Sequence, residues 1–285
     1  MRQINFISFP CSGLASWIAN CFVELDILNS CRGYDVFNFV RKIDDMHDEY
    51  SFNSKSNDWD VFCPTIYYKF SQGKNFIFRN DITIFHTGHG LLSFDEENYD
   101  SILAIRDPRD LMLSLFTWQT KYEKDDFFSF CIENLEGFIN FYQSCLGYKK
   151  ARIFRFEDRK QDEQLFLREI GKFCNLKISD DKILKAISNS SIEVAMDQES
   201  QINKSEHKFF KNRTSFKVNN SGIIAKYKLK ENERYQKAFD YIIKKAAPTM
   251  RKYGYAEEWI YGEKFDNMSK VKKIFNNYIL KNCEN

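Results

Sequence analysis

The chain has 285 residues with 43% hydrophobic and 16% aromatic content, enough apolar matter for one large domain or two small ones. Its 42 basic residues nearly balance 40 acidic ones, and a net charge of +2 excludes the strongly basic surface of a general nucleic-acid binder. With only 11 Gly and 4 Pro it is no linker-rich or low-complexity chain, and no apolar run approaches the ~18 residues of a membrane span.

Taken in chain order, Ile4–Phe9 reads as a first strand and Pro10-Cys-Ser-Gly13 as a turn. Leu14–Leu28 reads as a helix from the apolar spacing of Leu14, Trp17, Ile18, Cys21, Phe22, Leu25 and Leu28. Residues 30–80 are less regular and read as loop with short helices, an insertion placed to face a substrate. Ile82–Phe85 is a strand leading into His86-Thr-Gly-His89-Gly90. Ile102–Ile105 is the next strand, and helices follow near 108–122 and 126–146, with Pro108 suited to a first helical turn. Arg152–Phe156 is another strand, ending at Glu157-Asp158. Helices near 161–174 and 180–188 come next, the second starting at Ser179-Asp180. Residues 197–230 read as a polar, mobile loop, Glu231–Ala247 as a helix, and Tyr253-Gly-Tyr255 as the end of the main domain.

The tail from Asp266 to Lys281 is basic and amphipathic, with Met268, Val271, Phe275 and Tyr278 in a stripe that is expected to pack on its own domain, a membrane-surface role being the remote alternative. Strands alternating with helices predict an α/β fold: one three-layer domain with a mainly parallel sheet covered on both faces. The eight cysteines form no CxxC pair and no metal-ligand spacing, so no metal is expected. No signal-peptide pattern opens the sequence, and a reducing cytoplasm is the expected compartment.

Arg106-Asp-Pro-Arg-Asp-Leu-Met-Leu-Ser114 stands directly behind the strand at 102–105. Arg106 thus leaves the carboxyl end of a strand, where open α/β sheets bind ligands, and Ser114 lies two turns into the next helix. A guanidinium fork with a hydroxyl suits a phosphate; a surface ion pair with Asp110 is the structural alternative. A second anion site is offered by the strand–turn–helix at 4–28, which aims backbone N–H groups and a helix dipole outward, with Ser12 and Ser16 as hydroxyl donors. The Walker pattern GxxxxGK[ST] is absent, which leaves a P-loop kinase of a small molecule a distant alternative. A phosphatase loop built on Cys11 is excluded because the sixth residue on is Trp17 rather than Arg.

Three segments together resemble the sulfotransferase family. Ser8-Phe-Pro-Cys-Ser-Gly13 resembles its 5′-phosphosulfate loop, and Arg106 to Ser114 resembles its 3′-phosphate motif with the same Arg-to-Ser spacing of eight. Arg155-Phe-Glu-Asp158, with the helix ending at Phe173-Cys-Asn-Leu176, looks like the family's R-Y-E-D segment. The resemblance runs from about residue 4 to about residue 255 and implies a P-loop-NTPase-like sulfotransferase fold over 1–260, with 261–285 as a tail. It also implies a donor, 3′-phosphoadenosine 5′-phosphosulfate (PAPS, leaving 3′-phosphoadenosine 5′-phosphate, PAP), and no metal. Cys11, Ser12, Gly13, Leu14, Ala15, Ser16 and Trp17 would then line the 5′-phosphosulfate, and Arg106 and Ser114 would hold the 3′-phosphate. Phe156 would stand beside the adenine, with Ser190 near it, a helix C-terminal polar role being the alternative for Ser190. Lys211, Asn212 and Arg213 would form the late loop over the 3′-phosphate, a solvated basic loop being the alternative.

Sulfuryl transfer needs an acceptor in line, a base for its proton, and positive charge on the leaving phosphate. His89 is the candidate base and His86 the second candidate, both after the strand at 82–85. The resemblance departs from its pattern at Cys11, where relatives carry Lys or Arg on the leaving oxygen. His86, Lys211 and Arg213 are the cations available to compensate; without compensation the chain is a PAPS- or PAP-binding member impaired in catalysis. Acidic residues at Asp44, Asp45, Asp48, Glu49 and Asp95–Glu97, with abundant aromatics, point to a small cationic or polar acceptor, solvated acidic loops being the plainer reading.

Overall fold

The computed structural model describes residues 2–10, 12, 14–31, 40–43, 47–51, 76–79, 81–88, 99–118, 127–204 and 226–255. Its central sheet holds β1 (Arg2–Ser8), β2 (Leu28–Cys31), β6 (Ile82–Gly88), β7 (Asp100–Ile105) and β8 (Ala151–Arg155) in the order β2-β6-β1-β7-β8. Every pairing in it is parallel. Numbered among themselves, the five strands run 2-3-1-4-5, so β1 is central and connections leave it toward both edges. The α/β class expected from the sequence, a parallel sheet covered on both faces, is the class observed.

Alternation along the strands builds the two sides of the core. Ile4 and Phe6 of β1, Ile82 and Ile84 of β6, and Ile102 and Ala104 of β7 pack on α1 (Ala15–Glu24), α5 (Glu163–Phe173) and α6 (Asp180–Asn189). Ile7, Leu103 and Ile105 pack on the opposite side against α2 (Pro108–Trp118), α3 (Phe127–Cys145) and α8 (Gln236–Lys252). Between these helices lie α4 (Phe156–Gln161) and α7 (Ile192–Lys204). α3 buries Phe127, Phe130, Phe138 and Phe141, at about 1.5–3 kcal/mol of transfer free energy for each ring. Cys21, Cys131, Cys145 and Cys174 are buried, and burial pushes the Cys131 and Cys174 thiols up to about 12, so they act as small hydrophobes.

Three helices end in the same device. Asp26, Asn175 and Gly254 take positive φ (60°, 55° and 78°) just past α1, α5 and α8. In each, the next residue's N–H returns to the helix: Ile27 to Phe22 O, Leu176 to Gly171 O, Tyr255 to Met250 O. This closure satisfies carbonyls that the helix leaves open.

It also corrects the expected boundaries. α1 stops at Glu24 rather than Leu28, because the Asp26 turn reverses the chain and Leu28 opens β2. α8 runs from Gln236 through Pro248 to Lys252, past the expected end at Ala247, since Met250 and Tyr253 are buried beyond the proline. Residues 230–235 ahead of it are 3-10 helix. Residues 197–204, expected to begin a loop, belong to the helix at Ile192–Lys204. Residues 30–80 hold no described helix. They contribute β2 and an antiparallel sheet of β3 (Val40–Ile43), β4 (His47–Ser51) and β5 (Phe76–Arg79), whose short apolar runs lack helical period. The tail at 261–285 lies outside the described residues.

Candidate functional site

The register aligns the carboxyl ends of the strands along one edge. Ser8 of β1 stands opposite Gly88 of β6 and Ala104 of β7, and Ile105 stands opposite Arg155 of β8. From that edge β1 leads into α1 on one side of the sheet, while β7 leads into α2 on the other. Two neighbouring strands whose helices part to opposite sides leave a crevice between them, the switch point where open sheets take ligands.

On the β1 side, the Ser12 N–H donates to Phe9 O at 3.2 Å and folds the loop tightly toward α1. Ser12 is 1% exposed, and its Oγ meets no hydrogen-bond partner among the described residues. Leu14 is the N-cap of α1, and its aliphatic side chain makes no cap hydrogen bond to the first N–H groups. Trp17, on the first turn, is buried with its ring under the Arg159 guanidinium (4.0 Å to the centroid) and 6.0 Å from Phe166. Its Nε1 also lacks a partner among the described residues. Ala15 and Ser16 belong to α1; their side chains, like Cys11 and Gly13, lie outside the described residues.

On the β7 side, Arg106 and Ser114 meet. The Arg106 Nη1–Ser114 Oγ distance is 3.4 Å, and both residues are buried. Arg106 Nη2 lies 3.9 Å from Asp110 Oδ2, so the ion pair considered from the sequence exists as well, but inside the molecule rather than on its surface. The Asp110 carboxylate also accepts the Tyr227 N–H at 3.3 Å. Phe156 backs the guanidinium, 4.3 Å from its centroid to Arg106 Cζ, and Lys160 Nζ lies 5.9 Å from the same ring. Phe156 opens α4 instead of closing β8, because the chain turns at Arg155, the extended N-cap. Ser190 is the C-cap of α6; it is 3% exposed, its N–H is bonded to Ala186 O and Ile187 O, and its Oγ has no partner among the described residues.

A buried polar cluster supports this edge. Asp107 caps α2 by accepting the Arg109 N–H at 2.9 Å and holds the Arg109 guanidinium at 3.0 and 2.6 Å. Arg109 in turn lies over Tyr227 at 3.8 Å. Glu157 Oε1 accepts the Asp107 N–H at 2.8 Å and Oε2 accepts the Tyr255 hydroxyl at 2.9 Å. Burial, and then the nearby Asp107 charge, push the Glu157 carboxyl up to about 7. Arg155 is held by Asp158 (2.9 and 3.0 Å) and donates to Gly254 O at 2.8 Å.

Of the other expected residues, His86 sits in β6 opposite Phe6 of β1, with its side chain outside the described residues. His89, Lys211, Asn212 and Arg213 also lie outside them. Sequence reasoning missed Glu157, Arg159, Lys160, Tyr227 and Tyr255. Four of the five stand in, beside or at the limit of segments already singled out; Tyr227 carried no signal.

No protein-family model matches this chain, and a search of curated proteins finds no match. Among solved structures it is similar to mouse sulfotransferase SULT7A1 complexed with PAP, at 14% identity over 90% of this chain and 89% of that one, with a TM-score of 0.48. It is also similar to retinol dehydratase in complex with androsterone and inactive cofactor PAP, at 13% identity over 66% of this chain and 57% of that one, TM-score 0.41. A retinol dehydratase complex with retinol and PAP is similar at 14% identity over 68% and 66%, TM-score 0.40.

Proposed function

We propose that the chain is a PAPS-dependent sulfotransferase in which residues 1–260 form the catalytic domain and the acceptor is a hydroxyl or amine of a small molecule. The observation that carries the reading is the meeting of Arg106 and Ser114, eight residues apart, at the β1–β7 switch point. A buried guanidinium and hydroxyl there form a socket for a phosphate dianion.

The remaining residues fit a nucleotide with phosphates at both ends. Ser12 Oγ and Ser190 Oγ are buried hydroxyls without a partner among the described residues, the condition expected of groups that await a ligand. Ser12 and the N-terminus of α1 would take the 5′-phosphosulfate, Arg106 and Ser114 the 3′-phosphate, and Phe156 and Ser190 the base side. When bound, PAPS supplies an activated sulfuryl group. His89, or His86, would remove the acceptor proton; β6 lies against β1, which brings the end of that strand beside the 5′ loop.

A second reading rests on Cys11, which puts a neutral side chain where the resembled family carries a cation. Losing such a donor costs roughly 10²–10³ in rate, and a binding-only protein would follow if nothing compensates. Transfer of labelled sulfate from PAPS to a panel of cationic, polar and phenolic acceptors separates the two. Turnover that falls roughly 10²–10⁴-fold in His89→Ala is the expected result. PAP binding with no transfer to any acceptor supports the binding-only reading, and a fully active His89→Ala removes His89 as the base.

A further inference from the structure

The turn at Tyr253-Gly-Tyr255 does more than end α8. Its two tyrosines reach the two connections that emerge from the candidate site. The Tyr253 hydroxyl donates to Tyr142 O at 2.5 Å, and the buried Tyr142 hydroxyl donates to Ala104 O of β7 at 2.8 Å while hydrogen-bonding with the Phe9 backbone at the end of β1. The Tyr255 hydroxyl donates to Glu157, whose other oxygen holds the Asp107 N–H. That N–H belongs to the peptide joining Arg106 to Asp107, which adjoins the Cα that carries the Arg106 side chain toward Ser114.

The local sequence delivers Tyr255 to this place. Gly254 at φ 78° closes α8, and Tyr255 N–H returns to Met250 O, which fixes the ring against the end of the helix. Arg155 grips the same turn through Gly254 O. Tyr255 is 4% exposed and Glu157 is 3% exposed, so both are buried.

We propose that Glu157 and Tyr255 are positioning residues that hold the 106–107 peptide so that Arg106 selects nucleotides bearing a 3′-phosphate. The proposal rests on the nucleotide reading above. Its consequence is that removing one phenolic oxygen, 98 residues away in sequence from Glu157, alters selectivity at one phosphate while leaving the rest of the nucleotide contact alone.

Calorimetric titration of wild type, Tyr255→Phe and Glu157→Gln with PAP and with adenosine 5′-phosphate tests this. The ratio of the two affinities is the readout, because a merely structural role would move both together. Wild type is expected to favour PAP, and Tyr255→Phe to lose roughly ten-fold of that preference with its adenosine 5′-phosphate affinity unchanged, the size of one hydrogen bond's net worth. Glu157→Gln keeps an acceptor oxygen for the Asp107 N–H and is expected to retain more of the preference than Tyr255→Phe. A ratio unchanged in Tyr255→Phe, or equal losses for both nucleotides, overturns the proposal. A wild type that binds neither nucleotide overturns the functional reading instead.

Discussion

Glu157 concentrates the physical cost of this site. It is buried beside a second carboxylate, Asp107, and is held by one N–H and one hydroxyl. Its carboxyl is raised from an ordinary 4.5 to about 7, so between those values the folded chain binds a proton that the unfolded chain does not. Stability then falls as pH rises from about 4.5 to 7 and levels off above, by on the order of a few kcal/mol from this group. Urea unfolding of wild type and Glu157→Gln at several pH values between 5 and 8 checks this. The wild-type curve is expected to fall relative to the variant's up to about pH 7 and to run parallel to it above; curves parallel throughout would show that the carboxyl ionises without penalty.

At the scale of elements, the C-terminal turn of α8 is the sensitive joint. Gly254→Ala places a side chain at φ 78°, which costs about 1 kcal/mol at a left-handed position. It is expected to lower the unfolding midpoint modestly and to weaken PAP more than adenosine 5′-phosphate, because Tyr255 leaves Glu157. Equal effects on both nucleotides would separate the turn from the site. Elements with strong apolar period were legible in the sequence: α3 was expected at 126–146 and spans 127–145, and β7 and α2 start within two residues of expectation. The misses share a cause. α1 was overextended because Leu25 and Leu28 continue its apolar spacing, while the single residue that ends it, Asp26, is ordinary in composition and unusual only in φ. β2 to β5 are four or five residues each, too short for period to distinguish strand from loop.

Across the whole molecule, the candidate site combines what was local with what was not. Arg106, Ser12 and Phe156 were legible because each lies within a few residues of a strand end, and Ser114 because it stands eight residues after Arg106 on the helix that follows. Glu157 was overlooked as a neighbour of Phe156, since its significance arises only when Tyr255 folds back across the sheet edge. Arg159 over Trp17 likewise joins α4 to α1, and no spacing in the chain marks that contact. The architecture explains why such residues converge: a parallel sheet gathers every strand's carboxyl end on one edge, so distant segments meet there. The small cavity between the start of α2 and α8, walled by Asp107, Arg109, Ala247, Met250 and Tyr255, shows how closely α8 backs the segment that follows β7.

On the function proposed above, Arg106 and Ser114 form a socket for a 3′-phosphate. Isothermal titration of wild type and Arg106→Ala with PAP and with ATP tests it most directly. PAP is expected to bind wild type at least about ten-fold more tightly than ATP, and Arg106→Ala to lose roughly 10- to 100-fold for PAP, the worth of a charge-assisted contact, while ATP changes little. Equal or tighter binding of ATP to wild type, or an Arg106→Ala variant that binds PAP unchanged, would contradict it.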